Sequence, residues 1–111
     1  MDLSESGQLL RIFVGESDRH EGSPLYKWIV LKAKERGLAG ATVLRGMMGF
    51  GANSRIHASG ILRLSEDLPV VIEIVDEEEK LRDFLDHINP IIREGLATLE
   101  KARVQIYRGS R

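Results

Sequence analysis

The chain has 111 residues, 42% hydrophobic and 30% charged, with 16 basic against 17 acidic side chains and a net charge of −1. That composition is one of a single globular domain whose core can fold unaided, and the near-neutral balance excludes recognition of nucleic acid or an anionic membrane by bulk charge. The absence of cysteine excludes disulfides, thiolate metal sites and a cysteine nucleophile together.

Met1 to Gly7 is polar, carries Asp2 and Glu5, and lacks the apolar centre of a signal peptide. No run approaches the roughly 18 apolar residues of a membrane-crossing helix. The expectation is a cytoplasmic protein that does not insert into a membrane, with a disordered tail over residues 1–8 and one domain over 9–111.

Leu9 to Val14 alternates Leu10, Ile12 and Val14 with Leu9, Arg11 and Phe13, the pattern of a strand, and Gly15 ends it. A polar loop, residues 16–22, leads to Ser23-Pro24, a helix start in which the serine hydroxyl caps a free amide and proline takes the first helical position. The helix presents Leu25, Trp28, Ile29 and Ala33 on one stripe and stops at Gly37. Ala41 to Arg45 is a second, short strand. A glycine-punctuated loop follows, Gly46-Met47-Met48-Gly49-Phe50-Gly51, and a further small strand is expected around Ile61, Leu62 and Leu64.

Pro69 opens the clearest strand, Val70 to Val75. Asp76 with Glu79 resembles a capping box for a helix carrying Leu81, Phe84, Leu85, Ile88 and Ile92, and Pro90 bends or ends that helix near Asn89. Ala102 to Tyr107 alternates Val104 and Ile106 with polar neighbours and is expected to be the last strand. The order strand-helix-strand-strand-helix-strand gives an α+β, ferredoxin-like βαββαβ sandwich. Both helices cover one face. The other face, with Leu9, Arg11, Phe13, Thr42, Leu44, Val71, Glu73, Val75, Gln105 and Tyr107, is apolar and rimmed by charge, which points to a homo-oligomer whose sheets face one another.

Gly37-Leu38-Ala39-Gly40-Ala41-Thr42-Val43, the Gly49-Phe50-Gly51 triplet and Val71-Ile72-Glu73-Ile74-Val75-Asp76 resemble the PII signalling proteins. The fuller pattern, with Gly15-Glu16, Asp18, His20, Gly22-Ser23-Pro24-Leu25-Tyr26 and Arg45 to Gly51, is similar to a PII-like branch of unknown function, DUF190. The resemblance covers roughly residues 9–107. It implies a ferredoxin-like homotrimer that binds an adenine nucleotide between subunits, moves the loop over residues 46–60, and signals without enzymatic turnover to a partner such as a membrane transporter or channel.

Carried over residue by residue, the resemblance implies a cleft using Gly40 and Thr42, Gly49, Phe50 and Gly51 at the loop base, and Glu73 and Val75 on the third strand. Two features depart from the PII pattern. Glu94 to Leu99, where a lysine-bearing phosphate loop is expected, has no lysine, and Gln105 and Tyr107 stand about where two arginines fall. These departures argue against ATP held in the PII manner and leave AMP, ADP, a cyclic nucleotide or another small anion.

The residues themselves offer chemistry. Gly46, Gly49 and Gly51 can present amides to an anion, or simply form a hairpin tip. Arg45 and Arg55 add forked donors, and His57 adds pH sensitivity. Glu73 lies in an apolar strand, where it either meets a ligand amine or ribose hydroxyl or pairs with Arg11 or Arg103. The histidines His20, His57 and His87 lack zinc-like spacing, so no metal is assigned. Asp76 to Glu79 reads as a solvated helix start. A small enzyme using Asp18, His20, Arg45 and His57 at a subunit interface, or a structural oligomer without ligand, are the alternatives. RNA binding would need more than the 5% aromatic residues present.

Overall fold

The computed structural model describes residues 7–51, 57–58 and 67–109. Four strands and two helices alternate as the sequence pattern requires: β1 Gly7–Gly15, α1 Leu25–Glu35, β2 Thr42–Arg45, β3 Pro69–Glu77, α2 Glu78–Ile88 and β4 Leu96–Lys101. The sheet is antiparallel throughout in the order β2-β3-β1-β4. This is the ferredoxin-like arrangement, with the two long strands β1 and β3 at its centre. Gly7 and Gln8, expected in the tail, belong to β1, because Gly7 pairs with Glu77 and Gln8 with Asp76.

The register places Leu10, Ile12 and Val14 opposite Ile74, Ile72 and Val70. These side chains meet Leu25, Ile29 and Ala33 of α1 and Leu81, Phe84 and Ile88 of α2 in one core. Burial of each large apolar side chain stabilises the fold by about 1.5–3 kcal/mol. Trp28 lies at the margin of this core, where His20 meets it edge-on at 4.7 Å and His87 stacks on it at 6.3 Å.

The start of α1 differs from expectation. Ser23 and Pro24 form a two-residue ladder with Arg19 and His20, so Pro24 is the N-cap and no side chain caps the helix. Asp18 supplies the missing acceptor, taking the Leu25 amide on its carbonyl at 2.7 Å. The helix ends as the sequence suggests. Gly37 has φ +77°, its amide reaches the Lys34 carbonyl, and Leu38 N–H donates to Ala33, which together close a Schellman turn.

Asp76 is a second difference. The strand runs two residues further than its apolar part, to Glu77, and the alternation Val70, Ile72, Ile74 carries Asp76 onto the helix face. The carboxylate is fully buried and not solvated. Its Oδ2 accepts the Ala39 amide at 2.9 Å and lies 3.5 Å from Lys80 Nζ, while Oδ1 accepts the Glu77 amide at 2.7 Å. A buried charge needs such partners, and here they tie the α1–β2 loop to the start of α2. At the other end of α2, Pro90 sits in a 3-10 turn, Asn89–Ile91, as the sequence suggested.

The last strand is the largest correction. It is Leu96–Lys101, with Leu99 opposite Leu10 and Ala97 opposite Ile12, and not Ala102 to Tyr107. Leu-Ala-Thr-Leu carries a weak local strand signal, yet these residues follow directly from the turn that returns the chain to β1. The strongly patterned segment behind them continues past the edge of the sheet. Ala102 N–H bonds the Gly7 carbonyl, Ile106 is 70% exposed, and the Tyr107 hydroxyl donates to the Ala39 carbonyl at 2.9 Å. Leu96, Thr98 and Glu100 therefore hold the open-face positions expected for Gln105 and Tyr107. The small strand expected around Ile61 to Leu64 lies outside the described residues.

Candidate functional site

A concave pocket of about 740 Å³ opens where β1 ends and β3 begins. Four segments of chain converge on it: the end of β1 with Asp18, the loop after β2, the approach to β3, and the turn into β4. Phe13, Val71, Pro69 and Leu96 form the apolar wall, with Met48 and Phe50 contributed by the loop. The size and the mixture of apolar surface with a few polar groups are those of small-molecule sites.

Pro69 decides the shape of the loop base. Gly46 N–H donates to the Pro69 carbonyl at 2.7 Å, and a Cβ on Gly46 would fall 2.7 Å from Pro69 Cγ. A Cβ on Gly49 would lie 3.1 Å from the same atom. These glycines are therefore required by close packing over proline, and the Gly46 amide is already engaged. A Met48–Gly49 ladder with His57–Ala58 carries the loop outward.

Asp18 and Asp67 stand on the polar side of the pocket and are built into its wall. Asp18 Oδ2 accepts the Gly15 amide at 2.9 Å, and Asp67 Oδ1 accepts the Ser17 amide at 2.8 Å. Arg93 and Glu94 complete the lining from the turn before β4.

The residues singled out from the sequence divide among several places. Gly46, Gly49, Phe50 and Gly51 line the pocket. Thr42, Glu73 and Val75 lie on the open sheet face, Thr42 directly opposite Glu73 and Val75 opposite Leu9. Glu73 makes the pairing with Arg11 that was one of its two alternatives. Arg11 Nε donates to its Oε2 at 3.0 Å and a second Arg11 nitrogen to Glu100 at 2.5 Å, and these bonds raise the Arg11 pKa above its ordinary value. Gly40 is exposed in the α1–β2 loop near the opposite end of the sheet. Arg45 turns to Glu16, donating from Nε at 3.1 Å and from a terminal nitrogen as well, which likewise raises its pKa. Arg55 lies outside the described residues, and His57 is described through its backbone pairing with Gly49.

Of the polar set Asp18, His20, Arg45 and His57, the first three stand in separate places. Asp18 lines the pocket, His20 packs against Trp28 and Arg45 binds Glu16. Among the described residues no group of three or more His, Asp or Glu side chains is placed to hold a metal ion. Sequence reasoning missed Arg93 and Asp67. Both lie far along the chain from the loop glycines, and the return of β4 and the start of β3 bring them to the pocket.

The fold recurs in solved structures of PII-like proteins. CPII from Thiomonas intermedia, a nitrogen regulatory PII-like protein solved with ADP, AMP and bicarbonate, superposes with a TM-score of 0.67 at 19% identity, over 88% of this chain and 87% of that one. A second CPII structure, with ADP and bicarbonate, gives a TM-score of 0.68 at 16% identity, over 92% of this chain and 94% of that one. Residues 7–104 match the family DUF190, described as Uncharacterized ACR, COG1993. A UPF0166 protein of Aquifex aeolicus is 47% identical over 97 residues, covering 87% of this chain and 91% of its own length. One from Methanocaldococcus jannaschii is 37% identical over 103 residues, covering 92% and 93%. The chain belongs to the DUF190 family. No helix among the described residues is long and apolar enough to cross a membrane.

Proposed function

We propose that the protein is a PII-like, non-enzymatic sensor that binds a small anionic effector, an adenine nucleotide, and signals through residues 46–60 to a partner protein. One observation carries this reading. The 740 Å³ pocket is lined by both stems of the loop, Gly46 and Met48 to Gly51 on one side and Asp67 with Pro69 on the other. An effector there touches the two points from which the loop departs. It therefore binds some loop arrangements better than others and shifts their populations, with no rigid-body change in the domain required. The ligands of the CPII structures, ADP and AMP, support the nucleotide class.

The open sheet face supports self-association, and we read the assembly as a homotrimer. Leu9, Phe13, Val71 and Val75 are only half-buried, while Leu44 is 49% and Leu96 57% exposed. Copies packed through this face would place loops and pockets around a common axis. The partner fits the PII-like class of membrane transporter or channel, with the sensor itself in the cytoplasm.

Native mass spectrometry followed by calorimetry with AMP, ADP and ATP tests the reading. A trimer that binds a nucleotide saturably and leaves it unchanged is the expected result. Gly46→Val, which drives a branched side chain into Pro69, is expected to weaken binding at least tenfold. Turnover of the nucleotide would replace the sensor with an enzyme, and absence of binding by all three would remove the effector class.

A further inference from the structure

A second, smaller concavity of about 350 Å³ lies between the last turn of α2 and the edge strand β4. Leu85, Ile92 and Ala97 supply its apolar floor, and Asp86, Asn89 and Arg93 its polar rim. Opposite charges thus border one small apolar surface. Asp86 and Arg93 are exposed, and neither has a hydrogen bond or ion pair among the described residues.

The backbone adds a donor near Arg93 and an acceptor near Asp86. Ala102 N–H bonds the Gly7 carbonyl, and hydrogen-bonded pairs alternate along an antiparallel ladder, so Glu100, Thr98 and Leu96 also turn their amides to β1. Lys101, Leu99 and Ala97 therefore turn theirs outward. Of these, Ala97 borders the groove, and its amide is free to donate there. On α2, residue 90 is a proline and has no amide to give the Asp86 carbonyl four residues before it. A helix C-terminus also favours a cation.

We infer that this groove binds a small aliphatic α-amino acid in its zwitterionic form. The carboxylate accepts from the Arg93 guanidinium and the Ala97 amide, a charge-assisted pair of bonds. The ammonium donates to the Asp86 carboxylate at the end of α2, and the aliphatic side chain covers Leu85 and Ile92. A volume at the small end of ligand sites suits a molecule of this size. A ligand with only one of the two charges leaves the opposite rim group unanswered, so the arrangement selects a molecule that carries both. The inference stands apart from the effector reading, because it needs neither the loop nor a nucleotide.

Calorimetry on the full chain with L-leucine, L-isoleucine and L-valine tests the assignment, with two fragments of leucine as controls: 4-methylpentanoate, which lacks the amine, and 3-methylbutylamine, which lacks the carboxylate. At least one of the amino acids is expected to bind saturably, and L-leucine at least tenfold more tightly than either fragment. Arg93→Gln and Asp86→Asn, both at exposed positions, are each expected to weaken L-leucine about tenfold while keeping the unfolding midpoint of the parent chain. Asp86→Asn is also expected to narrow the preference for L-leucine over 4-methylpentanoate, since only the amine meets that carboxylate. Absence of saturable binding by all three amino acids overturns the assignment. So does 4-methylpentanoate binding as tightly as L-leucine, or L-leucine affinity unchanged in either variant.

Discussion

Val71 and Ile72 are neighbours on β3, yet they belong to opposite faces of the sheet that are finished in different ways. The helix face closes within the chain: Leu10, Ile12, Ile72 and Ile74 are at most 1% exposed beneath α1 and α2. The open face has comparable apolar content in Leu9, Phe13, Val71 and Val75, but none of it is fully buried. It also carries a row of polar residues across all four strands, Thr42, Glu73, Arg11 and Thr98, which the register sets side by side. Arg11 holds Glu73 and Glu100 together there. A face that is half apolar and internally charge-paired tolerates water and also tolerates cover, which a fully apolar face would not. The comparison teaches that one face supplies the stability of the fold and the other is suited to contact.

The sharpest way to break the distinction is to truncate the helix face. Ile72→Ala is expected to cost about 2–5 kcal/mol of unfolding free energy, read from urea denaturation, because the methylenes removed leave a cavity that helices on a rigid sheet cannot refill. A smaller effect is expected at the polar end of the same face. Asp76→Ala leaves the Ala39 amide without its acceptor and is expected to cost about 1–3 kcal/mol, with faster hydrogen exchange at residues 37–41. The smallest stability change belongs to the open face. Leu44→Ser is expected to alter unfolding by no more than about 0.5 kcal/mol. Sedimentation velocity should nevertheless show a lighter species if copies associate through this surface; an unchanged assembly would separate the open face from self-association.

Much of the fold is legible in the order of residues, because alternation at period two and stripes at helical spacing are properties of neighbours. β1, β3, α1 and α2 follow from Leu10-Ile12-Val14, Val70-Ile72-Ile74, Leu25-Ile29-Ala33 and Leu81-Phe84-Ile88 in that way. The last strand is not legible, since Val104 and Ile106 make the better local pattern while Ala97 and Leu99 have the better long-range partners in Ile12 and Leu10. Tertiary pairing outweighs strand propensity, which is a weak preference by itself. The site divides similarly. The loop glycines are conspicuous in sequence and do line the pocket, but their immediate reason is packing on Pro69. Asp67 and Arg93 carry no local signal strong enough to link them with Gly46.

By itself the sequence determined the ferredoxin-like succession of elements, the helix-facing core, the glycine loop after β2 and the resemblance to the PII-like class. Only the tertiary structure decided that Asp76 is buried, that Arg45 is spent on Glu16, and that Arg93 faces the pocket. The physical reason is separation along the chain. Asp76 meets an amide 37 residues away and Arg45 a carboxylate 29 residues away, and such pairings are set by strand register and loop return. A charge can be read from a sequence, whereas whether that charge has already been neutralised depends on what the fold brings beside it.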